Sequence, residues 1–267
     1  MAMKPQLFDT HCHLNLVDSF PDPSPFFERA RDVGVTRLAL VGLDPATGRR
    51  ALEMAEPLDG VYAIVGRHPN YAAHYVRSEL DEYREMLSHE KAVAMGELGL
   101  DYHWDFASKD QQLRCLTDQL DLAAELEVPV VFHCREAYAD LLDLLESRPA
   151  HPYLFHCFSG NADDARRAAA LGCCFGFDGP LTYKKSDALR ELVKKLPTDR
   201  IVLETDSPYM APAPQRGKPN EPSYLPLINE ALAQVLGIGV LDCAGLTTRN
   251  ALRFFRIALD GDDSSPL

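Results

Sequence analysis

Short apolar runs alternate with longer amphipathic segments along almost the whole chain. The apolar runs are four to six residues long and rich in β-branched and aromatic residues, which is typical of buried parallel strands. Eight such strands are predicted, at Gln6–Asp9, Arg37–Gly42, Val61–Gly66, Ala92–Gly96, Val130–His133, Tyr153–His156, Cys174–Phe177 and Ile201–Glu204.

The segments between these runs carry apolar residues at helical spacing. The predicted helices are Pro25–Val33, Thr47–Glu56, Glu79–His89, Lys109–Leu126, Ala137–Leu145, Ala162–Leu171, Ser186–Lys195, Ser223–Leu236 and Ala244–Arg256. Regular alternation of strand and helix predicts an α/β protein with a (β/α)8 TIM barrel. An open doubly wound sheet is the alternative, and it is disfavoured because no Gly-x-Gly-x-x-Gly follows the first strand.

The length of 267 residues suits one such barrel, which typically needs about 250 residues. We expect a single domain over residues 1–259 and a disordered acidic tail over 260–267. No run of about 18 apolar residues is present, and no apolar core follows Lys4. The sequence therefore predicts a cytoplasmic protein with no membrane partner.

The formal net charge of −13 excludes broad electrostatic attraction to nucleic acid. A phosphate-containing substrate would have to be held locally, by metal ions and a few basic side chains. The seven cysteines include no Cys-x-x-Cys, which argues against a disulfide scaffold or a zinc site of four cysteines. We interpret Cys134, Cys157 and Cys174 as small buried hydrophobic residues.

Polar side chains of metal-binding type stand at the ends of five predicted strands. Because parallel strands of a barrel converge at one mouth, these side chains are expected to meet there. Imidazole and carboxylate ligands suit zinc, manganese or magnesium, and six ligands exceed the needs of one tetrahedral ion. Two ions bridged by Glu97 would activate water for hydrolysis of an ester, amide or phosphodiester. The six residues are His11, His13, Glu97, His133, His156 and Asp206.

Seven motifs in this order resemble those of the TatD family of metal-dependent deoxyribonucleases. They are Asp9-Thr10-His11-Cys12-His13-Leu14, Gly66-Arg67-His68-Pro69, Gly96-Glu97-Leu98-Gly99-Leu100-Asp101-Tyr102, the block from Gln119 to Arg135, His156-Cys157-Phe158-Ser159-Gly160, Glu204-Thr205-Asp206-Ser207-Pro208-Tyr209, and residues 216–222. The resemblance implies an amidohydrolase-like barrel, two divalent ions (Mg²⁺, Mn²⁺ or Zn²⁺) and nuclease activity, usually at the 3′ ends of DNA.

The resemblance also implies roles for individual residues. One ion would be held by His11, His13, Glu97 and Asp206, and the other by Glu97, His133 and His156. Asp206 would in addition take a proton from the attacking water.

Further roles concern the substrate. His68 would lie near the substrate phosphate or act as a supporting hydrogen bonder, and Glu204 would assist as a base or orient His68. Arg135 would clamp a phosphate or form a surface salt bridge. Four loop cations are the remaining candidates for contacting a nucleic-acid backbone: Lys184, Lys185, Arg216 and Lys218.

Two positions depart from the family pattern. Asn15 stands where an aspartate is frequent, and we expect metal binding to survive this change. Trp104, the only tryptophan, would cover the barrel mouth or stack on a base.

The predicted function is a 3′-5′ exonuclease acting on single-stranded DNA ends. A related ester or amide hydrolase, such as a lactonase or aminoacyl-tRNA deacylase, is the alternative, and a non-catalytic barrel is the weakest hypothesis because all six ligands are present. We expect a monomer without an obligate protein partner.

Overall fold

A computed structural model describes residues 6–258, and these residues form the predicted barrel. Eight parallel strands follow each other around a single sheet in the order of the sequence. They are β1 (Leu7–Cys12), β2 (Val35–Val41), β3 (Val61–Val65), β4 (Ala92–Asp101), β5 (Val130–Arg135), β6 (Tyr153–Phe155), β7 (Cys174–Phe177) and β8 (Ile201–Leu203). The fold class predicted from the alternation of strands and helices is confirmed.

Helices follow every strand and cover the outside of the sheet. They are α1 (Ser24–Asp32), α2 (Pro45–Ala55), α3 (Glu79–Leu87), α4 (Lys109–Glu125), α5 (Tyr138–Glu146), α6 (Ala162–Ala170), α7 (Asp187–Val193), α8 (Leu225–Leu236) and α9 (Val240–Phe254). Short 3-10 turns at Pro69–His74, Gly179–Thr182, Thr198–Arg200 and Pro222–Tyr224 complete the connections.

The barrel interior is filled by side chains from alternate strand positions. Ala39 and Val41 of β2 belong to the inner cluster, whereas their neighbours Leu38 and Leu40 belong to the layer between sheet and helices. This division follows from the two-residue repeat of a strand. Phe254 and Phe255, at the end of α9, join the inner cluster and close the barrel at the end opposite the strand carboxyl termini.

The seam between β1 and β8 is closed by hydrogen bonds just beyond the short strand β8. The amide of His13 donates to the carbonyl of Ser207 at 2.8 Å, and the amide of Asp206 donates to the carbonyl of His11 at 2.9 Å. The buried carboxylate of Asp9 accepts the amide of Thr205 at 2.9 Å and its hydroxyl at 2.6 Å. The two segments that carry His11, His13 and Asp206 are thereby fixed side by side.

Several predicted boundaries were wrong. The fourth strand continues beyond Gly96 to Asp101, so Glu97 lies inside β4 rather than after it. The last helix begins at Val240, four residues earlier than predicted, and Pro222–Tyr224 forms a separate 3-10 turn before α8. The tail predicted to be disordered, 260–267, lies outside the described residues, and the domain boundary at 259 stays a prediction.

Between residues 6 and 258, no single helix is long and apolar enough to cross a membrane. One pair, Pro222–Leu236 with Val240–Phe254, passes the test of length and composition only when taken together, and it is bent by 103°.

The seam gives a stability prediction. Thr205→Ala removes the hydroxyl from the buried Asp9 carboxylate, and we expect the free energy of unfolding to fall by about 2 kcal/mol. Urea denaturation of the purified variant measures this. Thr205→Ser keeps the hydroxyl and should recover most of the loss, while equal destabilisation by both variants would contradict the assignment to this hydrogen bond.

Candidate metal centre

Glu97 lies at the centre of the polar cluster in the barrel mouth. Its carboxylate is almost fully buried, and its two oxygens face different imidazoles. Oε2 lies 3.2 Å from Nε2 of His11 and 3.9 Å from Nε2 of His13. Oε1 lies 2.7 Å from Nε2 of His156 and 3.0 Å from Nδ1 of His133. One carboxylate therefore contacts two separate groups of ligand-type nitrogens.

The side of Glu97 that carries Oε2 is completed by Asp206. Its Oδ1 lies 3.4 Å from Nε2 of His13 and 3.8 Å from Nε2 of His11. The two imidazole Nε2 atoms are only 3.3 Å apart, as expected for residues i and i+2 at the end of a strand. All three ligand atoms lie within 4.8 Å of one another.

The tautomer of His13 is set by a hydrogen bond to the backbone. Nδ1 of His13 lies 3.1 Å from the carbonyl of Val41 and must donate to it. A neutral imidazole then has an unprotonated Nε2, which points at Asp206 and His11. Lone pairs directed at carboxylate oxygens repel, and a cation between them removes the repulsion.

His133 shows the same arrangement on the other side of Glu97. Its Nε2 donates to Oδ2 of Asp101 at 2.9 Å, so a neutral ring presents the lone pair of Nδ1 to Glu97. Asp101 also accepts the amides of His103 and Trp104, at 2.9 and 3.2 Å, which fixes its orientation. A carboxylate that holds the remote nitrogen of an imidazole is a common support of a metal ligand.

His156 completes this second group and lies beside Glu204. The His156 ring stacks on that of His11 with centroids 3.9 Å apart, and its Nδ1 lies 3.6 Å from Oε1 of Glu204. Glu204 also accepts the amide of Cys157. A side-chain carbon at Gly176 would overlap the Glu204 carboxylate, so this strand position requires glycine.

The structure corrects one predicted contact. One of the two roles considered for Glu204 was to orient His68, but its imidazole neighbour among the described residues is His156. His68 instead lies with Nε2 3.7 Å from Oε1 of Glu97. Its Nδ1 accepts the amide of Asn70 at 3.1 Å, so the neutral ring carries its proton on Nε2. This N–H borders the cavity above the cluster.

Burial and the neighbouring imidazoles have opposite effects on the pKa values of the two carboxylates in the cluster. Burial raises the pKa of Glu97, but the imidazoles of His156 and His11 outweigh burial and hold that pKa well below its usual value. Burial also raises the pKa of Asp206, and the neighbouring imidazoles of His13, His156 and His11 reverse the shift, so that the pKa is lowered. Both carboxylates are thus ionised at neutral pH and available as ligands.

Two polar residues of the mouth were not predicted from the sequence, and a third was interpreted incorrectly. Asp101 was not predicted because the fourth strand was expected to end at Gly96, whereas it continues to Asp101. Asp178 directly follows β7 and accepts the thiol of Cys157 at 3.1 Å. The rule that located the other ligands, a polar residue at the end of a strand, would have found Asp178. Cys157 is half-buried and polar in its contacts, so its interpretation as a buried hydrophobic residue was wrong.

An open cavity of about 800 Å³ lies over the cluster. Arg135 lines it and extends over Trp104, with the guanidinium carbon 5.7 Å from the ring centroid. Arg135 forms no ion pair with any residue in the range 6–258, so the salt bridge considered for it is absent there. The four loop cations are not part of the cavity wall; Arg216 lies over Tyr183 and Lys218 contacts Gln215.

Asn15, the departure next to His13, is buried and braces the mouth. Its amide nitrogen donates to the carbonyls of Val41 and Thr47 at 3.0 and 3.1 Å. Val41 is also the partner of His13, so Asn15 supports the strand that orients this imidazole.

The side chains present fit divalent ions. Among residues 6–258, five groups of ligand-type atoms lie within 4.8 Å of one another. Three of them involve His11 or Glu97: His11, His13 and Asp206; His11, Glu97 and His156; and His68, Glu97 and His133. The other two are His156, Cys157 and Glu204, and Cys157, Asp178 and Asp206. Nitrogen and carboxylate oxygen donors suit zinc, manganese and magnesium.

Comparison with known proteins places this centre in a family. The sequence profile described as "TatD related DNase" matches residues 8–256. The "uncharacterized metal-dependent hydrolase YabD" of Bacillus subtilis is 41% identical over 253 residues, which cover 94% of this chain and 99% of that protein. The "3'-5' ssDNA/RNA exonuclease TatD" of Pantoea vagans is 34% identical over 262 residues, which cover 94% of this chain and 100% of that protein.

A solved structure agrees with these relatives. The crystal structure of YJJV, a TatD homolog from Escherichia coli, superposes with a TM-score of 0.88 at 28% sequence identity and covers 94% of this chain and 98% of that one. With the ligand geometry and the match over nearly the whole chain, the conclusion is that the protein belongs to the TatD-related DNase family of metal-dependent hydrolases.

Proposed function

We propose that this protein is a 3′-5′ exonuclease that removes nucleotides from single-stranded DNA with the help of two divalent ions. The observation that carries the proposal is the position of Glu97, whose two oxygens face two separate sets of imidazoles under an open cavity. A carboxylate between two ligand sets is the arrangement expected of a two-ion hydrolytic centre.

The two ions would be held by different sides of Glu97. His11, His13 and Asp206 would hold one ion together with Oε2, and His133 and His156 would hold the other together with Oε1. Ions at these positions supply positive charge that lowers the pKa of water and stabilises the attacking and leaving oxygens.

The protein's own residues then have defined tasks. A water oxygen forms a bond to the phosphorus atom, and the bond from phosphorus to the 3′ oxygen of the preceding nucleotide breaks. That oxygen leaves with the shortened strand and takes up a proton from solvent to become its 3′ hydroxyl. Asp206 accepts the water proton, because its pKa is lowered and it is ionised. The Nε2–H of His68 donates to a phosphate oxygen at the cavity floor, and the guanidinium of Arg135 contacts the same phosphate.

The choice of nucleic acid as substrate is supported by the relatives named as exonucleases and by the unpaired Arg135 in the cavity. An uncharged ester or amide substrate would not need a cationic side chain such as Arg135 in the cavity. The metals named above, the monomeric state, the lack of an obligate protein partner and the cytoplasmic location remain predictions of the sequence.

The first prediction concerns metal binding. Asp101→Asn keeps the shape of the residue but weakens its hold on His133, and we expect affinity for Mn²⁺ to fall by about 10- to 100-fold. Isothermal titration calorimetry of the apoprotein measures the change. Asp105→Asn, in the same loop but exposed, is the control and should bind as the wild type does. Unchanged affinity in Asp101→Asn would contradict the supporting role of this carboxylate.

The second prediction tests the reaction. With Mg²⁺ or Mn²⁺, the protein should shorten 5′-labelled single-stranded DNA from its 3′ end and release 5′-mononucleotides, and Glu97→Ala should abolish this activity. Glu85→Ala, exposed on α3, should leave it intact. RNA and blunt duplex DNA are run in parallel to define the substrate. Intact DNA with every metal, together with hydrolysis of an ester or aminoacyl-tRNA, would replace the nuclease proposal by the alternative.

The third prediction concerns the phosphate contact. Arg135→Ala should raise KM for single-stranded DNA by about tenfold, because a charge-assisted hydrogen bond is lost. Steady-state kinetics of the variant beside Arg114→Ala, an exposed arginine on α4, provide the comparison. Equal KM values in the two variants would contradict a contact between Arg135 and the substrate phosphate.

A further inference from the structure

The exposed aromatic residues of this protein are concentrated at one place. Among residues 6–258, four aromatic side chains have exposed fractions between 41% and 61%: Tyr71, Trp104, Phe106 and Tyr209. All four line the cavity over the metal centre. Leaving large aromatic faces in water is unfavourable, and their clustering marks a recognition surface. We call these four residues the aromatic rim.

The rim is built onto the same residues that hold the metal ligands. The amide of Trp104 donates to Asp101, the carboxylate that supports His133, and the Trp104 and Phe106 rings lie 5.8 Å apart. The Tyr209 ring packs edge-on against His13 at 6.1 Å between centroids. Trp104 and Tyr209 are therefore attached directly to residues of the metal centre.

The rim occupies two sides of the mouth. Trp104 and Phe106 follow β4, and Tyr209 follows β8, four strands away around an eight-stranded barrel. Tyr71 lies in the 3-10 turn after β3, edge-on to His68 at 6.2 Å between centroids. A strand entering the cavity would pass between aromatic faces before its terminal phosphate reached Glu97.

The charge of the protein indicates which part of a nucleic acid the aromatic rim would bind. The net charge is −13, and Arg135 is the only arginine or lysine among the cavity-lining residues. One cation supplies little of the counterion release that ordinarily drives binding to a phosphate backbone. Beyond the one phosphate that the ions and Arg135 would hold, affinity must then come from the uncharged part of the ligand, and flat aromatic faces match the flat faces of nucleobases.

We propose that the aromatic rim binds unpaired nucleobases by stacking, and that the enzyme thereby selects single-stranded ends through base faces instead of backbone charge. The inference rests on the proposed nuclease function. In a duplex both faces of each internal base are covered by its neighbours, and only the outer face of the terminal pair is free, so a paired end offers the rim less stacking surface until it frays. Trp104, with Arg135 beside it, is the central residue of this platform.

Because Trp104 is the only tryptophan of the chain, its fluorescence reports on the rim directly. Wild-type protein with Mn²⁺ is titrated with a phosphorothioate oligothymidylate that resists cleavage, and with an abasic oligonucleotide of equal length and charge. We expect saturable quenching by the first ligand and little by the second. Equal quenching by both, or by neither, would overturn the stacking proposal.

Kinetics provide a second test on cleavable substrates. Trp104→Ala should raise KM for oligothymidylate about tenfold and change KM for a substrate with abasic terminal residues less than about twofold, whereas Trp104→Phe should restore much of the binding. Leu241→Ala, exposed on α9, is the control for a surface truncation. An equal rise in KM for both substrates would assign Trp104 a merely structural role.

Salt dependence separates stacking from backbone attraction. A plot of log KM against log salt concentration should have a slope of about 1 or less, given about 0.7 per phosphate contact for single strands. A slope of about 4 or more would overturn the proposal. The two hypotheses fail separately: quenching without any cleavage would reject the nuclease function alone, and cleavage by Trp104→Ala with unchanged KM would reject the rim alone.

Discussion

The buried carboxylates and imidazoles at the barrel mouth need a positive charge between them, and the arrangement of the surrounding residues depends on this need. Glu97 and Asp206 are both withdrawn from water, and His13 and His133 direct lone pairs at them because their other ring nitrogens are already donating. Such a cluster is costly without a cation, since burying each ion carries a penalty of several kcal/mol. At the barrel mouth, bound cations would therefore stabilise the protein as well as serve the proposed reaction.

The residues around the cluster fix the geometry that this requirement imposes. Asp101 holds His133, Glu204 lies against His156, and the carbonyl of Val41 holds His13. These supports come from strands and their immediate ends, which are the most rigid parts of the fold. A ligand held on its remote nitrogen has one tautomer and one orientation, so an ion finds its donors already placed.

For the proposed polyanionic substrate, an acidic protein needs different interactions for the phosphate and for the rest of the strand. Ions and Arg135 would hold the phosphate at which the bond breaks, while the rest of the strand gains little from charge. The exposed aromatic faces around the same cavity offer an interaction that the net charge does not weaken. The distribution of charge and of aromatic surface thus favours the same ligand, a strand with unpaired bases.

The sequence by itself determined the barrel and the meeting of six polar residues at its mouth. Strand periodicity depends on near neighbours in the chain, and parallel strands end at one mouth, so His11, His13, Glu97, His133, His156 and Asp206 could be expected to meet there. Only the tertiary structure decided how the mouth is supported. The fourth strand was ended at Gly96 because its apolar run stops there, which concealed Asp101. Orienting His68 was one of two roles considered for Glu204, whereas this carboxylate lies against His156, and Asp178 was not recognised. The periodicity of a strand shows which of its side chains are buried. It does not show which side chains of other strands they contact across the barrel, because those contacts depend on the register and stagger of all eight strands.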